Sequence, residues 1–163
     1  MNAQALRHLY NYHFAENRKL WDAYVLPLAP EQFTQAAAYS QGSVRDQLLH
    51  LMSVDDVWFS ELQGRQPAEP LPAALADDRA VIRASWDEVE ARMRAYLAGL
   101  RDEDLFSRPI QEPEEDRGLV VWQVLLHVVN HGTDHRAQLL RLLNDLGVQT
   151  TSQDYIFYVY NHP

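Results

Sequence analysis

The stretch that decides the fold is HVVNHGTDHRAQ, His127–Gln138, within the largely apolar segment Leu119–Leu146. Three histidines, His127, His131 and His135, recur at every fourth residue. On an α-helix, three residues with this spacing drift only about 80° around the axis, so they share one face. Four apolar residues and one glutamine fall on the same face: Val120, Val124, Val128, Leu142 and Gln138. The pattern predicts a helix whose three histidines point into the protein.

Inward imidazoles need partners, because each neutral ring carries one hydrogen-bond donor and one acceptor. Two histidines four residues apart on a helix can reach one metal ion. The pairs His127 with His131 and His131 with His135 both have this spacing. A third ligand must come from another helix, for which His50 is the first candidate and His13 the second.

Three neutral imidazoles would leave coordination positions open for water, which is typical of a catalytic metal site. Such ligands suit zinc or nickel, then iron or manganese, and they do not suit calcium or magnesium. The alternative is that the histidines are hydrogen-bonded core residues without a metal. Asp134 and Gln138 are either outer partners of the ligands or ordinary polar positions. Arg136 lies on the opposite helix face, where we expect a salt bridge or an interface contact.

Composition narrows the classes of function. The chain has 163 residues, a formal charge of −9 and no cysteine. Its length favours one domain, residues 1–163. The negative charge argues against nucleic acid and anionic membranes as partners, and no apolar stretch approaches the roughly 20 residues that span a bilayer. Without a visible signal peptide, the expected location is cytoplasmic. A thiol nucleophile would have to come from outside the chain.

Apolar periodicity and breakers predict an all-α protein of four long helices. The chain between them is expected to be irregular, notably over 31–41 and 101–118. Connections this long allow a crossover, up-down-down-up order in a four-helix bundle. The aromatic tail, residues 148–163, is expected to pack on the bundle or on a partner chain. The predicted helices are Met1–Tyr24, one from the N-cap Ser43 to about Gln63, Ala74–Leu100, and the histidine helix ending at Gly147.

These motifs together resemble one family. The histidine stretch, preceded by VWQVLL, is similar to the last-helix signature of the DinB-like four-helix bundles, which include bacillithiol- and mycothiol-dependent transferases. The segment GSVRDQLLHLMSVDDVWFSELQG resembles the histidine-bearing helix of that family, with His50 at the ligand position. The first helix, YHFAENRKLWDA, resembles the family's YxxWANxxL opening, with Asn17 matching and Ala15 where tryptophan is frequent. The ending SQDYIFYVYN is also similar, so the likeness covers nearly the whole chain.

The resemblance implies a divalent metal held by His50, His131 and His135, with His127 as an additional histidine. It also implies a homodimer. Characterised relatives use the metal to bind a low-molecular-weight thiol that attacks an electrophile, as in detoxification or the stress response. The first functional hypothesis is therefore a metal-dependent thiol S-transferase, whose partners are a small-molecule thiol and an electrophile. The alternatives are a metal-dependent hydrolase and a non-catalytic metal-binding stress protein.

Overall fold

All regular secondary structure in the described part of the chain is helical, which confirms the predicted all-α class. A computed structural model describes residues 1–162. The helices are α1 Ala3–Leu20, α2 Pro30–Thr34, α3 Val44–Glu61, α4 Arg79–Gly99, α5 Val121–Asp145 and α6 Tyr155–Asn161. A π-helical turn, Trp21–Val25, extends α1, so the first helix runs about as far as the sequence predicts.

Side-chain caps decide where two of the long helices begin. At α3, the Ser43 hydroxyl accepts a hydrogen bond from the Asp46 amide while the Asp46 carboxylate accepts one from the Ser43 amide. This pair forms a capping box, with Ser43 as the predicted N-cap. The predicted start of α4 at Ala74 is wrong, because the Asp78 carboxylate accepts from the amides of the second and third helical residues, Ala80 and Val81. Leu75, which continues the apolar spacing of the predicted helix toward Ala74, is 43% exposed.

Both segments expected to be irregular contain short helical turns. The short helix α2 lies in the first of them, with Pro30 at its first position and Phe33 buried. Proline suits that position because the first amide of a helix has no partner within it. The second segment contains the 3₁₀ turns Asp102–Phe106 and Glu114–Asp116. Buried apolar side chains, Phe33 in α2 and Leu105 in the first 3₁₀ turn, anchor these two segments to the core, which local sequence patterns do not reveal.

Helix α5 lies between α1 and α3 and contacts both of them. Helix α4 also packs against α1 and α3. The buried apolar side chains form one cluster, with Tyr10, Phe59 and Trp86 among the largest. Each such side chain contributes about 1.5–3 kcal/mol when it leaves water, so this cluster is the main stabilising feature.

Side-chain contacts between the helices show their relative directions. On α3 and α5, Gln47 contacts His135 and Trp58 contacts His127, so these two helices are antiparallel. Contacts between α1 and α5 follow the same residue order along both helices, so this pair is parallel. Contacts between α1 and α4 follow opposite orders, so this pair is antiparallel. Helices α3 and α4 are parallel by the same criterion.

The aromatic tail packs on α1, which was one of its two expected locations. Tyr155 and Tyr158 of α6 place their rings edge-on against His8 and Tyr12. The Tyr12 hydroxyl also donates a hydrogen bond of 2.6 Å to the Gln153 carbonyl. Among residues 1–162, no helix is both long and apolar enough to cross a membrane.

Candidate metal centre

The facing surfaces of α3 and α5 bring together His50, His131 and His135, the residues that the family resemblance implies as ligands. Each of these residues offers a ring nitrogen, and the three nitrogens lie within 4.8 Å of one another. The Nε2 atoms of His50 and His131 are 3.1 Å apart. The ring centroid of His135 lies 4.4 Å from that of His50 and 4.2 Å from that of His131. We call these three residues the histidine trio.

The chemistry of the histidine trio fits a divalent cation. Burial, together with the neighbouring His135 and His50, lowers the pKa of His131 to about 4. Burial also lowers the pKa values of His50 and His135, so all three rings are neutral at neutral pH. Each neutral ring carries one lone pair, and three converging lone pairs suit zinc, nickel or a similar transition metal. The trio could therefore hold a metal ion.

Gln47, one turn before His50 on α3, contacts the ligand candidate His135 on α5. Its Oε1 lies 3.2 Å from Nδ1 of His135. In this arrangement the Nδ1–H of His135 donates to the amide oxygen, and Nε2 carries the lone pair. The Gln47 side chain is buried, and its own Nε2 has no hydrogen-bond partner within residues 1–162. Sequence reasoning missed Gln47, although its position one turn from His50 was a usable signal.

Burial decreases along the α5 histidines from His135 to His127. His135 is 8% exposed, His131 is half-buried and His127 is exposed. The expectation that all three point inward is therefore wrong for His127. Its ring packs edge-on against Trp58 at a centroid distance of 5.2 Å and lies 5.7 Å from the His131 ring. Because Trp58 covers only part of His127, solvent reaches the ring.

The Asp134 and Gln138 side chains bond to each other rather than to the histidine trio. Gln138 Nε2 donates to Asp134 Oδ2 at 3.0 Å, and the Ser40 hydroxyl contacts Gln138 Oε1. Asp134 is exposed and Gln138 half-buried. This favours the second alternative for these residues, ordinary polar positions at the edge of the helix interface.

His13, the second candidate for the third ligand, lies in a different polar cluster. Its Nε2 is 3.5 Å from the Asp55 carboxylate, and its Nδ1 is 3.2 Å from Nη1 of Arg136. The Trp86 indole also donates to Asp55, at 3.4 Å. We call His13, Asn17, Asp55 and Arg136 the Arg136 cluster. Both ring nitrogens of His13 are engaged there, so the structure does not bring His13 to the histidine trio.

Arg136 is buried and forms no ion pair within residues 1–162, so the expectation of a salt bridge or an interface contact is wrong. Its side chain is among the largest that are fully buried, at 1% exposure. The guanidinium donates to Asn17 Oδ1 at 2.8 Å, to Gln153 Oε1 at 2.9 Å and to Thr133 Oγ1 at 3.2 Å. Burial lowers the pKa of Arg136 from its ordinary value.

A second buried stripe on α5 accounts for the position of Arg136. Its residues follow steps of three and four, which is a signal that sequence reasoning could have used. At Gly132 an added Cβ would lie 2.5 Å from Cε1 of His13, so only glycine lets α1 approach this closely. The stripe consists of Leu125, Val129, Gly132, Arg136, Leu139 and Leu143.

Comparison of the sequence with known proteins finds one family model and one curated protein that match nearly the whole chain. The model of the DinB family matches residues 1–162. The chain is also similar to the curated protein "Protein DinB" of Bacillus subtilis (strain 168). The two are 24% identical over 159 residues, and the alignment covers 93% of this chain and 92% of that protein.

Proposed function

Because the chain belongs to the DinB family, we propose that it binds a divalent transition metal through His50, His131 and His135. The observation that carries the proposal is the convergence of three ring nitrogens within 4.8 Å. Zinc or nickel is the preferred ion and iron or manganese the next, since neutral imidazoles favour these metals. We propose further that the protein is a metal-dependent thiol S-transferase in detoxification or the stress response.

The donor set leaves room for a thiol cosubstrate. A bound divalent cation lowers the pKa of a coordinated thiol and supplies a thiolate at neutral pH. The chain has no cysteine, so the thiol is a small molecule. Gln47 keeps the Nε2 of His135 available, and Trp58 and His127 border the solvent side of the trio. In the transfer, the sulfur–carbon bond forms as the carbon–leaving-group bond breaks, and the thiol proton passes to solvent.

The proposed architecture is one domain, residues 1–163, in which α1, α3, α4 and α5 form a four-helix bundle of up-down-down-up order. The helix directions given above support this order, since α1 is parallel to α5 and antiparallel to α4. The consecutive helices α3 and α4 are parallel, so the chain between them must cross the length of the bundle. A homodimer and a cytoplasmic location complete the proposal.

Metal-dependent conjugation of a thiol tests the function. Protein loaded with zinc or nickel is mixed with a cellular thiol and the electrophile para-nitrobenzyl chloride, and the thioether is quantified. We expect conjugation that requires the metal and is lost in His50→Ala. The control His162→Ala alters an exposed histidine at the end of α6 and should keep the activity. Full metal occupancy without conjugation of any common cellular thiol would contradict the proposal.

A further inference from the structure

A cavity of about 510 Å³ lies beside the histidine trio, between α3, α4 and the chain segment 67–71. Its volume falls in the range of about 300–1,000 Å³ that is typical of small-molecule sites. His50 forms part of its wall. Apolar groups from all three elements line it: Leu49, Met52, Val57, Pro67, Leu71 and Val89.

The Asp56 carboxylate of α3 contacts both the segment 67–71 and α4. The Ala68 amide donates to Asp56 Oδ2 at 2.7 Å, which fixes this segment against α3. Arg92 of α4 forms an ion pair with the same carboxylate. Asp56 is 6% exposed, so both contacts are largely shielded from water. The three walls are therefore tied together, and the cavity is formed before any ligand enters.

The charges that line the cavity disfavour an anion. Asp56 and Arg92 neutralise each other, and Arg92 is the only cationic side chain in the lining. Glu69 and Glu88 add two exposed carboxylates, and neither forms an ion pair within residues 1–162. The net charge of the whole chain is also negative, at −9. An anionic ligand would leave water for an apolar site without a free cation to pair with it.

The cavity and the histidine trio share one residue, His50. His50 lines the cavity, and its ring Nε2 lies 3.1 Å from Nε2 of His131. A molecule in the cavity thus packs beside a residue of the proposed metal site. Ser53 and Ser85 supply hydroxyl groups that could orient polar atoms of such a molecule.

We propose that the cavity between α3, α4 and residues 67–71 binds an uncharged, mainly apolar organic molecule, the electrophile of the transfer. Its role as electrophile rests on the proposed function, whereas binding itself does not. A carboxylate-bearing thiol is excluded from this cavity by the same charges and must approach the trio from elsewhere. For a benzylic chloride, the sulfur–carbon bond forms while chloride leaves with the electron pair of the carbon–chlorine bond.

Binding of two matched probes to metal-free protein tests the cavity without any reaction. The probes are para-nitrotoluene, which is uncharged, and para-nitrobenzoate, which has similar size and a negative charge. We expect saturable binding of para-nitrotoluene in equilibrium dialysis and binding of para-nitrobenzoate at least about tenfold weaker. Amide NMR shifts in the wild-type protein should change at Ala68 and Ser85 on addition of para-nitrotoluene.

A matched pair of variants on α4 locates the binding. Ser85→Phe fills the cavity and should weaken para-nitrotoluene binding at least about tenfold. Ala84→Phe adds the same side chain at an exposed neighbouring position and should leave binding unchanged. Absence of saturable binding, equal binding of both probes, or shifts confined to other parts of the chain would overturn the proposal.

Kinetics separate this inference from the proposed function. In metal-loaded protein, para-nitrotoluene should compete with para-nitrobenzyl chloride and not with the thiol. Competition with the thiol alone would overturn the assignment of the cavity to the electrophile. If metal-loaded protein conjugates no thiol but para-nitrotoluene still binds as expected, the transferase function fails and the cavity remains a site for uncharged molecules.

Discussion

Helix α5 carries two polar clusters on different faces, and they satisfy their hydrogen-bonding groups in different ways. In the Arg136 cluster, His13 is 0% exposed and lies between a carboxylate and a guanidinium. In the histidine trio, the Nε2 atoms of His50 and His131 face each other. Only one of these two neutral nitrogens can donate a hydrogen bond to the other, and the other then offers its lone pair. The same residue type therefore serves as a core residue at position 13 and as a ligand candidate at position 131.

The difference lies in what the neighbouring helices contribute. Helix α1 brings Asn17 to Arg136, and the last connection brings Gln153, so the buried charge is hydrogen-bonded on several sides. Helix α3 brings His50 to the trio, which adds another lone pair and no positive charge. Buried polar groups that pair with one another stabilise the fold, whereas converging lone pairs create a place for a cation.

The largest expected effect on folding comes from breaking the Arg136 cluster. Arg136→Met removes the donors to Asn17 and Gln153 and leaves the buried Asp55 without the nearby positive charge. We expect a loss of about 3–5 kcal/mol in the free energy of unfolding, measured by urea denaturation. Arg141→Met, which removes an exposed ion pair with Asp145 on the same helix, should cost less than about 1 kcal/mol. Equal effects of the two variants would contradict the comparison.

Gln47→Leu is expected to weaken metal binding while leaving the fold intact. It removes the acceptor that holds the His135 ring in orientation, and loss of such a partner weakens metal affinity about 10–100-fold. The stability of metal-free protein should change little, because the buried and unpaired Nε2 of Gln47 is removed as well. Competition titration with a chelator measures the affinity, and Gln63→Leu, just beyond α3, is the control. Unchanged affinity in Gln47→Leu would refute this role.

Gly132→Ala tests the close approach of α1 to α5. The new methyl group would lie 2.5 Å from the His13 ring, and overpacking of this kind costs about 1–3 kcal/mol. Alanine favours the helix by about 1 kcal/mol, so we expect a net loss of up to about 2 kcal/mol. Gly99→Ala, at the end of α4 with open space around it, should be neutral or stabilising in the same thermal unfolding measurement. A stabilised Gly132→Ala would show that the helices are farther apart.

The smallest expected effect is a pH dependence of metal-free protein. The folded pKa of His131, about 4, lies below its ordinary value of 6.5. Between these values the unfolded chain binds a proton that folded His131 does not, so stability falls as the pH decreases through this window. His131→Ala should therefore lose less stability than wild type between about pH 7 and about pH 4 in urea denaturation. The difference is small because the ring is half-exposed, and an equal loss in both proteins would contradict it.

Local patterns in the sequence predicted the parts of the structure that depend on local geometry. His131 and His135 are four residues apart, so a helix alone places both rings on one face. The N-cap at Ser43 was also predictable from the sequence, because Ser43 and its capping partner Asp46 lie within four residues of each other. The start of α4 was placed too early because Leu75 continues the apolar pattern, whereas the helix begins only after its N-cap, Asp78.

The features that sequence reasoning missed depend on contacts between distant segments. Arg136 is buried because α1 and Gln153 cover it, and no pattern within α5 alone supplies those partners. Gln47 acquires its role only once α5 lies against α3. His50 was the first of two candidates for the third ligand and was selected over His13 through the family resemblance, since its spacing from the α5 histidines carries no geometric information. The cavity requires residues 67–71 to fold back on α3.

A metal titration tests the central claim most directly. Metal-free wild type and the variants His50→Ala, His131→Ala, His135→Ala and His13→Ala are titrated with cobalt, and visible absorption follows occupancy of an imidazole site. We expect one bound ion per chain in wild type and in His13→Ala when folding is retained, and loss of the absorption in each of the other three variants. Wild type that binds no ion, or trio variants that bind it as tightly as wild type, would show that the histidine trio is not a metal site.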